Sequence, residues 1–396
     1  MMENKLNIPA LRFPEFVGEW EEKRLGDVVT IIDGDRGKNY PKSIDFFDRE
    51  YCIFLSAKNV TKYGFIFNDI QFITKERDDL LRKGKLKRGD VVLTTRGTVG
   101  QFALYEDSIR YDNMRINSGM VLLRIKSENL SNKFLYKICN SYEISKQIKV
   151  IAFGSAQPQL TVAEITKIKL TLPPLPEQQK IASFLTAVDA KIAQLSQKGV
   201  LLGEYKRGAM QGIFSQEIRF LADDGSLFGD WVERRLGEVA FITTGNGNRE
   251  DSGTNGQYIF FDRSDDIRTS EKYLFDDEVI IVAGEGSSFP PKYFKGKFDL
   301  HQRTYAIMKF DNVYAKYIYY FMDKNKNHFL RYAVGSTVKS LRLPMFKTMP
   351  INLPSLPEQT KIANFLSAID TKIAQNTQIL EKMKTFKRGL LQKMFA

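Results

Sequence analysis

Apolar positions in this chain follow two rhythms. Between residues 181 and 195 they recur in alternating four- and three-residue steps, as Ile181, Leu185, Val188, Ile192 and Leu195. The same steps return as Ile362, Leu366, Ile369 and Ile373, then Asn376, Leu380 and Met383. Such steps form the seam of a coiled coil and predict two long helices. The segments that carry them are nearly identical: LPPLPEQQKIASFLTAVDAKIAQ begins at 172 and LPSLPEQTKIANFLSAIDTKIAQ at 353, an offset of 353 − 172 = 181. Pro176 and Pro357 suit a first helical turn, where a missing N–H costs nothing, and Glu177 and Glu358 complement the helix dipole there. From Pro176 to Phe214, at 1.5 Å per residue, the first helix would reach roughly 58 Å. Each seam needs a partner, which predicts that the two helices pair. Asn376 and Gly199, the latter in the place of Leu380, interrupt the seams in a way that can fix register.

Elsewhere the pattern shortens to strands. DVVLTT (90–95), QFALYE (101–106) and GMVLLRI (119–125) read as strands in the first half, with RGTVG (96–100) as a turn between two of them. EVIIVAGEGSS (278–288) and TYAIMKF (304–310) are their equivalents in the second, and helical patches at 132–148 and 315–330 follow. The 181-residue offset also pairs Gly154-Ser155 with Gly335-Ser336, Leu160 with Leu341, Lys206-Arg207-Gly208 with Lys387-Arg388-Gly389, and Phe214 with Phe395. A second repeat opens each half: GEWEEKRLGDVVTIIDG at 18 and GDWVERRLGEVAFITTG at 229, an offset of 229 − 18 = 211, aligning Trp20 with Trp231. The chain therefore reads as a tandem duplication with divergent middles. The expected fold is α/β (α+β): globular domains at 1–171 and 216–352, and long helices at 172–215 and 353–396.

Charge adds a partner class. Lys plus Arg exceed Asp plus Glu by 59 − 47 = 12, and a balance this basic fits a polyanion, most often nucleic acid, although a generally solvated basic surface fits it equally. Cys52 and Cys139 are too few for a disulfide framework and match a reducing compartment. The opening MMENKLNIPALRFPEF lacks a signal-peptide core, and no run approaches the roughly 20 apolar residues of a membrane span, which predicts a cytoplasmic protein.

Catalytic signatures are sparse. No G-x-x-x-x-G-K-[ST] occurs, and TGNGNRE (244–250) does not fit G-x-G-x-x-G. SFPPKY (288–293) lacks the leading Asp or Asn and the following aromatic of an amino-methyltransferase loop. His301 and His328 stand apart from any Cys/His cluster, so no metal ligands are expected. Binding chemistry is richer. RKGKLKRGD (82–90) could contact phosphates, and DGDRGKNYPKS (33–43) offers Arg36, Lys38 and Tyr40. Lys58, Asn59, Arg96 and Thr98 follow, then Ser155, Gln157 and Gln159 in GSAQPQL. The second half supplies Asn246, Asn248, Arg249, Arg263, Ser287, Lys292, His301, Gln302, Arg303, Lys339 and Arg342. Arginine and lysine suit guanine's acceptors, and Asn and Gln suit adenine. His301 has two readings, a base contact or a backbone-bonded cap of its strand.

The duplicated L-P-x-L-P-E-Q helix starts, each after a Gly-Ser loop (GSAQPQL and GSTVKSL), resemble those of the DNA specificity subunits of type I restriction–modification systems. The openings WEEKRLGDV and WVERRLGEV match as well, so the resemblance covers essentially the whole chain. It implies two target recognition domains, each reading half of a bipartite duplex DNA sequence. It also implies that the helices form an antiparallel coiled coil that holds those domains apart in a pseudo-two-fold arrangement. The implied partners are two modification subunits, which methylate adenine using S-adenosylmethionine, and restriction subunits, which use ATP and Mg. The chain itself would bind no cofactor and catalyse nothing. Leu175, Glu177, Gln178, Leu356, Glu358 and Gln359 are candidates for docking the modification subunits, with a plain helix-start role equally open. Two other classes stay in view: a self-sufficient DNA methyltransferase, and a coiled-coil scaffold that does not read sequence.

Overall fold

The two sequence repeats meet in one structural element. In the computed structural model, which describes residues 7–152, 158–264, 266 and 268–395, strand Glu21–Arg24 pairs antiparallel with Lys169–Leu172, and Val232–Arg235 with Pro350–Leu353. The registers coincide: Glu21 faces Leu172 and Val232 faces Leu353. The opening repeat and the helix repeat are thus the two sides of one short ladder, made twice.

The contacts divide the chain into two units, and each takes part of both long helices. Unit 1 runs to Leu195 and resumes at Ile379, and unit 2 is Ser196–Gln378. The helices are Leu175–Phe214 and Leu356–Lys393. In unit 1, Ile181, Leu185 and Val188 at the start of the first helix share a core with Leu390, Met394 and Phe395 at the end of the chain. In unit 2, Ala209, Met210 and Ile213 at the end of the first helix share a core with Ile362, Leu366 and Ile369 at the start of the second. Start packs on end in both units, so the pairing is antiparallel. Ion pairs repeat the pattern, Lys387 with Asp189 at 2.6 Å in unit 1 and Lys206 with Asp370 at 2.7 Å in unit 2. The two seam interruptions also meet: a Cβ on Gly199 would lie 3.2 Å from Asn376 Nδ2.

The sheets of the two units share a strand order. In unit 1, Val29–Asp33, Met120–Ile125, Val91–Thr94 and Phe102–Leu104 lie side by side, all antiparallel. In unit 2 the order is Phe241–Thr244, Thr304–Met308, Phe275–Ala283 and Lys292–Leu300, and the sheet continues through Tyr258–Phe261 to Arg268–Ser270. The predicted strands fall on these elements. The predicted helical patches each break in two, into Asn132–Cys139 and Tyr142–Ala152, then Ala315–Lys324 and Asn327–Tyr332. At the first break Ser141 Oγ accepts from Ile144 N, a side chain competing with the helix ladder. Gly34 and Gly245, which end the opening repeats, meet the carbonyls of Asn117 and Leu300 so closely that a Cβ would lie 2.1 and 1.8 Å from them.

Each long helix is anchored by an arginine the sequence reading passed over. Arg12 donates from Nε and Nη2 to both oxygens of fully buried Glu177, each at 2.7 Å. Arg219 does the same to Glu358, at 2.8 and 3.0 Å, and Trp231 Nε1 adds a bond at 3.2 Å. The signal was a third repeat, LRF at 11 and IRF at 218, with Phe13 and Phe220 stacking edge-on against Phe184 and Phe365. Replacing Glu358 with Ala strands Arg219 and Trp231 together. Because Arg219 keeps some access to water, the expected loss is about 2 kcal/mol, read as a lowered denaturation midpoint, and Glu358→Gln should recover part of it.

Candidate nucleic-acid interface

In unit 2 the structure gathers six of the predicted side chains around one cavity. Asn248, Arg249, Arg263, His301, Gln302 and Arg303 line a space of about 480 Å³ with three acids the sequence reading did not select, Glu250, Asp262 and Glu285. The residues come from the loop after Phe241–Thr244, the end of Tyr258–Phe261, the short strand Glu285–Gly286 and the turn between Lys292–Leu300 and Thr304–Met308. Three arginines face three carboxylates, so formal charge cancels.

The turn His301–Arg303 is held from several sides. His301 Nδ1 accepts the Arg303 N–H at 3.0 Å, which places the neutral ring's proton on Nε2. The cap reading of His301 therefore describes one ring nitrogen while the ring still lines the cavity. Gln302 Nε2 donates to Asn248 Oδ1 at 2.5 Å. Arg303 Nη1 contacts both oxygens of Glu285, at 2.8 and 3.0 Å, and Arg263 lies 3.6 Å from the same carboxylate. Burial alone would raise the Asp262 carboxyl, but Ser264 donates to it twice and Arg268 and Arg249 add positive charge, leaving it below its usual range. Burial lowers the pKa of His301, and Arg303 and Arg263 push the same way against Asp262.

Unit 1 presents a smaller counterpart. Arg36, Arg96 and Gln159 surround about 160 Å³ together with Asp33, Thr95 and Thr161. Arg36 pairs with Asp33 at 3.2 Å, and Arg96 and Gln159 form an antiparallel bridge. Lys38 and Thr98 are exposed nearby in sequence, and Lys58, also exposed, lies 3.6 Å from Asp69. Tyr40 is half-buried and packs edge-on to Phe54. Ser155 and Gln157 lie outside the described residues.

Other assignments change. Asn59 is buried and caps its own turn, accepting from Ser56 N and donating to the carbonyls of Asp69 and Ile66, so it is a loop tie and not a base reader. Lys292 is half-buried and donates to Ser264 O at 2.8 Å. Asn246, Ser287, Lys339 and Arg342 are exposed but do not line the cavity. In the 82–90 stretch, Arg82, Lys85 and Arg88 are paired with Asp35, Asp78 and Asp112. Glu177, Gln178, Glu358 and Gln359 are buried, and both amides bond to backbone: Gln178 to Ser131 N, Asn129 O and Pro173 O, Gln359 to Tyr314 N and Pro354 O. A docking partner cannot reach these four. Leu356 is exposed and Leu175 half-buried. Among the described residues no group of three or more His, Cys, Asp or Glu could hold a metal ion, and no helix is long and apolar enough to cross a membrane.

The comparisons with known proteins bear on this duplicated site. The type I restriction modification DNA specificity domain matches residues 18–200 and again 229–385, one copy per half. The chain belongs to this family. It is 24% identical to the putative type I restriction enzyme MjaX specificity subunit of Methanocaldococcus jannaschii, over 97% of this chain and 95% of that one. It is 30% identical to the type I restriction enzyme EcoDI specificity subunit of Escherichia coli, over 42% of this chain and 38% of that one. Its fold is similar to the S subunit of a type I restriction–modification system from M. genitalium, with a TM-score of 0.66 at 14% identity over 98% of this chain and 99% of that one. This specificity subunit combines mixed α/β units with two long helices.

Two expectations follow from the turn. A Cβ at Gly284 would lie 2.5 Å from the Arg303 carbonyl, so Gly284→Ala should cost unit 2 about 1–3 kcal/mol by thermal melting. His301 titrates below the free imidazole value in the fold, so the folded state binds fewer protons than the unfolded chain once pH falls below about 6.5. The stability linked to neutral His301 is therefore present above that pH and lost beneath it. The stability difference between wild type and His301→Gln should shift against wild type between pH 7.5 and 5.5.

Proposed function

We propose that this specificity subunit reads a bipartite duplex DNA target, one half-site per unit, without catalysing a reaction itself. The observation that carries the reading is the cavity of Asn248, Arg249, Arg263, His301, Gln302 and Arg303, together with its smaller counterpart at Arg36, Arg96 and Gln159. Both are lined by long donors able to address base edges, and each lies in one copy of a duplicated domain. The positive net charge supports phosphate contacts around them, with affinity that falls steeply as salt rises.

In this reading the antiparallel helices fix the number of unread base pairs between half-sites. Two modification subunits bring S-adenosylmethionine and methylate adenine in each half-site, and restriction subunits bring ATP and Mg. Cytoplasmic residence follows from DNA as the substrate. The linear division into domains at 1–171 and 216–352 and spacer helices at 172–215 and 353–396 is the unit of exchange. Replacing 216–340 with the equivalent segment of another specificity subunit should change one half-site of the methylated motif and leave the other intact, as read by mapping methylated adenines in cellular DNA. A change in both half-sites would overturn the two-reader arrangement.

A further inference from the structure

We propose that Glu285 is a positioning residue that aims Arg303 at the edge of a guanine, making this pair the principal specificity determinant of the half-site read by unit 2. The inference rests on the DNA-reading function proposed above and goes further by naming the base and the side chains that select it.

A cavity meant for phosphate would carry surplus positive charge. This one opposes Arg249, Arg263 and Arg303 with Glu250, Asp262 and Glu285, and carboxylates in such a place repel a phosphate. Charge balance with many donors and acceptors suits the neutral, hydrogen-bonding edge of a base pair instead.

Among the three arginines, Arg303 has the most firmly held backbone. Its N–H is taken by His301 Nδ1 at 3.0 Å, and its carbonyl accepts from Gly284 N at 2.8 Å. Gly284 approaches that carbonyl more closely than any residue with a Cβ could. Its neighbour Glu285 is itself fixed, paired in a short antiparallel ladder with Ser340. Yet the Arg303 side chain remains 62% exposed, against 19% for Glu285. An exposed guanidinium on an immobilised stem, steered by a sheltered acid, is the arrangement that bidentate recognition requires. Both Glu285 oxygens take Nη1, so the acid orients the fork through a single nitrogen. Guanine, with acceptors at O6 and N7, is the base edge that matches an arginine fork.

The test uses the full chain with its modification subunits, a duplex carrying the motif mapped for wild type, and a scrambled duplex. Glu285→Gln should lower the cognate-to-scrambled affinity ratio roughly 10-fold, leaving scrambled binding unchanged or tighter because a repelling charge is gone. Methylation mapping should show relaxed choice at one position of one half-site, and that position should be G·C in the wild-type motif. Arg303→Lys, which keeps charge but not the fork, should relax the same position. In an Arg303→Ala background, Glu285→Gln should cause no further loss of ratio. An unchanged ratio, an equal loss on both duplexes, a relaxed A·T position, or a second full loss in the Arg303→Ala background would each overturn the assignment. If wild type itself fails to distinguish the two duplexes, the DNA-reading function falls as well. If wild type discriminates and Glu285→Gln does so equally, only the Glu285 assignment falls.

Discussion

Reciprocal packing of the two long helices is the constraint on which the rest of the structure depends. Asp189 is paired with Lys387 in unit 1, and Asp370 with Lys206 in unit 2. Around each pair the first turns of one helix meet the last turns of the other in a shared apolar core. Unit 2 completes its core within one continuous stretch, Ser196–Gln378, but only by taking the end of the first helix and the start of the second. Unit 1 borrows Leu390, Met394 and Phe395 from the far end of the sequence. The nearly identical helix segments are therefore a packing requirement: each copy must supply a start to one core and an end to the other.

On that repeated frame the loops differ. The shared strand order brings the end of the first strand, the turn before the second and the neighbouring edge loops together in both units. Loops held by a rigid sheet are where binding residues can vary without disturbing a core. Unit 2 uses the place for a charge-balanced cavity of about 480 Å³, and unit 1 for a smaller one of about 160 Å³. This separation lets the loops change while the helices and their ladders stay the same.

The acids show where reading residue types in isolation failed. Glu177 and Glu358 sit in a first helical turn, and a helix dipole accounts for a carboxylate there. It does not account for their full burial, which requires Arg12 and Arg219. Those arginines precede the glutamates they hold by 165 and 139 residues, so only the LRF and IRF pair could have drawn attention to them. Glu285 carries no signal as a nucleic-acid contact in sequence, because an isolated acid opposes phosphate binding. It became meaningful once its carboxylate was found beside Arg303.

Local pattern was sufficient for the strands at 90–95, 101–106, 119–125, 278–288 and 304–310, the two long helices, the fact that they pair and the duplication, because periodicity and repeat offsets are properties of the chain itself. The antiparallel sense of the pairing came from the family resemblance. Most cavity-lining donors of unit 2 were legible for a similar reason, since long polar residues at strand ends are marked by the apolar runs they interrupt. Which of those donors face a common space was decided by the tertiary structure. Asn59 and Arg303 look alike as candidate base readers in sequence, but one is turned inward to satisfy buried carbonyls. The other is held outward by His301, Gly284 and Glu285. A side chain's direction depends on which backbone groups need partners nearby, and only the folded chain determines that.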